Sequence, residues 1–153
     1  MAAITTDRLS SVYYPLRLTY GLVPVVAGAD KFFHLLADWD RYLPAFAADL
    51  LPISTSHFML IVGLIEIVAG LAVLTRFTRL GAYVVAVWLV LIAVNLVLAG
   101  YFDVAVRDLV MAVGAYTLGQ IAALRGESWL SMVSPHRNSA GPATAGSTPA
   151  AAK

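Results

Sequence analysis

Apolar positions gather into four blocks, roughly 11–29, 57–75, 79–99 and 103–124. Each is about long enough to cross the roughly 30 Å hydrocarbon layer of a bilayer as a helix. Between the first two, Phe32, Leu36, Trp39, Leu43, Phe46 and Leu50 recur at helical spacing, with Asp38, Asp40, Arg41 and Asp49 mostly elsewhere around the wheel. The pattern predicts an all-α fold: an integral membrane four-helix bundle over residues 1–127, with an external amphipathic helical insert over 30–56. Pro44 divides that insert into two short pieces, and Pro52 with Ser54 to Ser56 ends it. Residues 128–153 are rich in small residues and proline, have no apolar face to bury, and are expected to form a disordered cytoplasmic tail.

Composition agrees with the pattern, since 60% of the 153 residues are hydrophobic and only 12% are charged, which is unusual for a soluble domain. The first block carries Arg17 near its start and lacks a small-residue cleavage site, so it is expected to remain as the first span. Arg8, Arg76, Arg79, Arg125, Arg137 and Lys153 fall on one side of the predicted spans. Lys31 and Arg41 lie on the other, among Asp30, Asp38, Asp40 and Asp49. The positive-inside rule then predicts a multi-pass protein of the cell (cytoplasmic) membrane, with both termini cytoplasmic and the segment from about 30 to 57 external. A net charge of +1 with no basic cluster argues against nucleic acid as a partner. The chain has no cysteine, which excludes thiol exchange and thiolate metal sites.

Small residues prepare two faces for close approach. Arg17, Gly21, Pro24 and Gly28 share one face of the first span; Gly63, Glu66 and Gly70 share one face of the second, so Glu66 is expected to point into the bundle. Only about Phe77 to Arg79 join the second and third blocks, which makes those helices antiparallel neighbours.

The segment "YFDVAVRDLVMAVGAY" places Asp103, Arg107 and Asp108 inside an apolar block. A charge at the centre of a membrane helix costs about 2.5–3.5 kcal/mol on insertion scales, so such groups face protein or water and take partners. Two readings stand side by side. In one, Arg17 with Glu66 and Asp103 with Arg107 are ion pairs that fix helix register. In the other, Glu66, Arg107, Asp108, Asn95 and Arg17 form a polar pocket open toward the external half, suited to a lipid headgroup, a quinone ring or a proton. Asp30, His34 and Asp38 are spaced along one helical face near His57, an arrangement common on wet helix faces, and no metal site is expected.

The stretches "RLTYGLVPVVAGADKF", "GLIEIVAGLAVLTRFTRLGA" and "DVAVRDLVMAVGA" resemble the DoxX-like family of four-span membrane proteins, with Arg17, Gly21, Gly28, Lys31, Gly63, Glu66 and Gly70 in matching places. The resemblance implies a four-helix membrane bundle. Family members have been linked to thiosulfate oxidation coupled to quinone, and to membrane complexes with superoxide dismutase and a sulfurtransferase. It therefore implies an accessory subunit of a membrane redox assembly with an intramembrane site for a quinone or lipid headgroup, seated in the lipid bilayer with redox protein partners or as a homo-oligomer. A quinone-linked oxidoreductase in its own right, or a small lipid or solute carrier, are the alternatives.

Overall fold

The computed structural model describes residues 2–127, which form five α-helices and one 3₁₀ turn. Helix α1 runs Ala2–Phe33, the 3₁₀ turn Trp39–Tyr42, α2 Ala45–Leu50, α3 Thr55–Leu74, α4 Thr78–Leu98 and α5 Phe102–Leu124. The expected tail, 128–153, lies outside the described residues.

Helices α3, α4 and α5 are long and apolar enough to cross a membrane. Helix α1 is the longest at 32 residues but is not among them, because tyrosines, two internal prolines and Arg17 dilute its apolar content. Its outer face nonetheless presents Leu18, Leu22 and Val26, as α3 presents Ile61, Leu64 and Val68 and α5 presents Val106, Val110 and Val113. The interior holds mostly small residues, including Ala69, Ala82, Ala86, Ala112, Ala115 and Ala122. Large apolar side chains outside and small ones inside invert the soluble pattern and suit lipid, which does not penalise exposed leucine and rewards close helix approach.

The four long helices make a ring of two tight pairs, α1 against α3 and α4 against α5. In the first pair Gly28 and Gly63 each hold a backbone carbonyl where the other's side chain would begin, and the Gly21 carbonyl does the same at Gly70, while a side chain at Gly21 would meet Leu74. Both pairs of positions are seven apart on antiparallel helices, so the backbones touch at two points two turns apart. The two pairs join in the half nearest the α3–α4 turn, where Tyr13, Tyr20, Val73, Val85, Leu118 and Ile121 form the main core. Arg17 caps that end of α3: its Nε donates to Val73 O at 3.1 Å, and its Nη2 to Leu74 O and Thr75 O at 2.7 and 2.6 Å. Those are the carbonyls a helix C-terminus leaves unpaired, and a cation there also complements the helix dipole.

The insert departs from its expected helical register. Helix α1 stops at Phe33, His34 turns left-handed at φ 53°, and Asp30 gathers the chain beyond it. Its carboxylate accepts from the amides of Leu35 (2.9 Å), Leu36 (3.0 Å) and Ala37 (3.3 Å) and from the Trp39 indole N–H (2.7 Å). Four donors on one carboxylate outcompete helix continuation, so Asp30, His34 and Asp38 do not share a helical face. Pro44 does divide the segment: it is the N-cap of α2, and Ser54 caps α3. Leu36, Phe46 and Leu50 point outward while Trp39 and Leu43 turn in, making a cap over one end of the bundle.

Candidate functional site

Beneath the cap, the halves of the two helix pairs away from the α3–α4 turn separate around a cavity of about 480 Å³. Its walls are mainly apolar, with Val62, Leu89 and Met111 among them, and its polar groups among the described residues include Lys31 from α1, Glu66 from α3, Trp88 and Asn95 from α4 and Asp108 from α5. Lys31 Nζ donates to Glu66 Oε2 at 2.6 Å, and the two side chains are only 4% and 7% exposed. The Lys31 ammonium also lies 3.9 Å from the centre of the Trp39 ring, a cation–π contact that ties the ion pair to the cap.

Local packing explains this pairing. The Lys31 Cα sits at the cap end of α1, where the side chain would ordinarily extend toward water. Its aliphatic stem instead lies across Gly63, and the ammonium reaches Glu66 one turn further into the bundle. The Glu66 Cβ in turn lies against Gly28. The glycine contacts that bring α1 and α3 together thus also open the path for the ion pair.

The other polar groups have fewer partners. Asn95 Nδ2 donates to Tyr42 O at 2.8 Å and pins the cap to α4. Asp108 has no hydrogen bond or ion pair among the described residues and feels Glu66 and Lys31 only through space. The buried Trp88 indole N–H faces Glu66 as its nearest acceptor, without a hydrogen bond of good geometry among the described residues. A buried donor without an acceptor costs about 1–3 kcal/mol. The cavity itself falls within the roughly 300–1,000 Å³ typical of small-molecule sites.

Of the six polar residues singled out from the sequence, Glu66, Asn95 and Asp108 meet at this cavity. Asp103 and Arg107 do not: they pair with each other at 3.8 Å on the outside of α5, with side chains 71% and 74% exposed. Arg17 lies at the opposite end of α3 and binds its terminal carbonyls, so the partner of Glu66 is Lys31. Lys31, Trp39 and Trp88 complete the site. The Lys31 signal was present as a lysine three residues after Gly28, matched by Glu66 three residues after Gly63.

The cap gives a first testable expectation. Burial would raise the Asp30 carboxyl, but the Trp39 indole and the amides of Leu36, Leu35 and Ala37 hold it below its ordinary value of 3.8. This contribution is fully present above the ordinary Asp pKa and is lost as pH falls through the still lower folded value. The cap should therefore stay closed through the normal carboxylate range. Asp30→Ala should loosen it at neutral pH, red-shifting Trp39 emission and admitting protease between residues 34 and 44 while α3–α5 stay folded. Unchanged emission and protection would show that Asp30 does not hold the cap.

Comparison with protein families matches residues 13–99 to the DoxX model, from within α1 through the cap to the end of α4. No curated protein and no solved structure matches the chain. The matched segment contains Lys31, Glu66, Trp88 and Asn95 and covers more than half the sequence. The chain is a membrane protein of the DoxX family.

Proposed function

We propose that the cavity binds a quinone headgroup and that the protein serves as an accessory subunit of a membrane redox assembly. In this reading α1 is a fourth span, both termini are cytoplasmic and the cap is external. The charge pattern along the sequence and the apolar outer face of α1 support that arrangement.

The observation that carries the quinone reading is a largely apolar cavity among apolar helices in which the Lys31 ammonium and the Trp88 indole N–H, the latter without a well-formed hydrogen bond, lie side by side around Glu66. Lys31 has three N–H donors and one hydrogen bond, to Glu66. Lys31 and Trp88 thus offer donors to the carbonyl oxygens of a flat neutral ring, and Met111, Leu89 and Val62 supply apolar walls. A phosphate headgroup fits less well, because the cavity holds two carboxyl groups and one cation. A quinone takes up two electrons and two protons when reduced. Glu66 and Asp108 are placed to exchange the protons; the chain has no cysteine to supply electrons, which come from the partner in the assembly.

Purified protein in lipid nanodiscs should contain extractable quinone, and added quinone should quench tryptophan emission saturably. Trp88→Phe should weaken binding about tenfold, the loss of one buried hydrogen bond of about 1–1.5 kcal/mol, with Trp39 still reporting. Arg107→Gln, outside the cavity, should leave affinity unchanged. A wild-type protein that neither retains nor binds quinone, or a Trp88→Phe variant of unchanged affinity, would refute the reading.

A further inference from the structure

The geometry points to a lateral portal between α1 and α5, through which a lipid-dissolved ligand reaches the cavity from the leaflet on the cap side. Three observations carry it. Trp39 and Tyr42 lie over the cap end of the cavity, held by Asp30 and Asn95. The other three seams of the ring share more contact, although α3–α4 is tied by its turn at the end away from the cap, and Leu91 on its cap side lines the cavity while 55% exposed. Glycine contacts join α1 to α3, α4 packs extensively on α5, and a short turn joins α3 to α4, with Gly81 against the Val73 backbone. Helices α1 and α5 share the smallest contact of any neighbouring pair in the ring, and Tyr13, Tyr20, Leu118 and Ala122 place their packed core away from the cap.

Toward the cap, the α1–α5 seam is flanked by cavity-lining residues that also reach the outer surface. Val23 lines the cavity yet is 43% exposed, and Pro24 and Asp108 are partly exposed beside it. Pro24 also supplies no amide to the Tyr20 carbonyl, so α1 lacks one rung of its hydrogen-bond ladder at this level. The cargo this route selects has an apolar tail, which remains in the bilayer between α1 and α5, and a neutral head that passes Asp108. Its identity as a quinone rests on the proposed function; the portal does not.

The test uses the full chain in nanodiscs and exploits its lack of native cysteine. Single cysteines at Val23, Leu91, Phe46 and Val26 are reacted with a bulky maleimide, and association of an isoprenoid-tailed quinone is followed by tryptophan quenching in a Trp129→Phe background. Leu91, which lines the cavity and is 55% exposed, reports the α3–α4 seam on equal terms with Val23; Phe46 reports the cap, and Val26 is an exposed α1 position that does not line the cavity. Modification at Val23 should slow association about tenfold, and the other three should change it less than about twofold, because obstruction acts on access. In parallel, nanodiscs carrying a phospholipid with a photoreactive acyl chain should give adducts at Asp108 or Met111 as well as at the outward Val106 and Val110. Greater slowing at Leu91 or Phe46 than at Val23 would overturn the portal, as would adducts confined to outward residues. Lack of quinone binding by the wild type, together with adducts at Asp108 or Met111, would remove the quinone reading and uphold the portal.

Discussion

Replacing Glu66 with leucine is expected to lower stability by about 3–5 kcal/mol, because it leaves the Lys31 ammonium buried with the Trp39 ring as its remaining close partner. Lys31→Met should cost a similar amount by stranding the carboxylate. The double variant Lys31→Met with Glu66→Leu removes both desolvated charges and fills the space with apolar side chains, so most of the loss should be recovered. Thermal unfolding in a mild detergent, run on the two single variants and the double, checks this order. Ligand content separates the roles: the double variant should fold yet retain no quinone, because the Lys31 ammonium, the only one lining the cavity among the described residues, is gone. A double variant no more stable than the singles would mean that the pair does not act as a unit. Quinone retention by the double variant would remove Lys31 from the site.

The last three long helices were legible because they are apolar runs bounded by charges and turns, whereas the first block, 11–29, falls well inside the longer α1, Ala2–Phe33. The predicted blocks 57–75, 79–99 and 103–124 lie within two residues of Thr55–Leu74, Thr78–Leu98 and Phe102–Leu124 at each end. The cap was legible in part, since Pro44 divides it as expected, but the piece before Pro44 does not keep the helical face that the spacing implies. Helical spacing from Phe32 to Leu50 persists in the sequence, but the Asp30 carboxylate captures the amides that would extend α1, and no periodicity reports that competition. Leu36, Phe46 and Leu50 face outward and leave an apolar surface on the cap.

The site was legible in part, for a reason that lies in side-chain reach and helix rotation. Counting depth from Cα positions puts Lys31 at the surface and Arg17 nearer Glu66. Gly63 changes the outcome by letting the lysine stem pass inward, while the terminal carbonyls of α3 hold Arg17 at the other end. Arg107 and Asp108 are adjacent on α5 and about 100° apart around its axis, so they point in different directions. Sequence placed both in one pocket; packing turns Asp108 inward and leaves Arg107 outside with Asp103.

Gly63 is the position where one added methyl group should do most damage for its size. A Cβ there would meet the Gly28 carbonyl oxygen and the Lys31 stem at once, and the carbonyl belongs to a helix backbone that cannot step aside locally. Relief requires α1 and α3 to move apart, which also strains the second crossing at Gly21 and Gly70 and pulls Lys31 away from Glu66. Gly63→Ala should therefore lose at least the roughly 1–3 kcal/mol typical of overpacking, and Gly63→Val should fail to give folded protein. Gly100→Ala supplies the comparison. Nothing lies within 4 Å of an added Cβ at Gly100, so its φ of 84° is the sole obstacle and the expected cost is about 1 kcal/mol. Thermal stability and quinone content of the three variants decide the matter: Gly63→Ala should lose both, whereas Gly100→Ala should lose a little stability and keep its ligand. If Gly63→Ala proves no worse than Gly100→Ala, the backbone contact between α1 and α3 is not what positions Lys31 against Glu66.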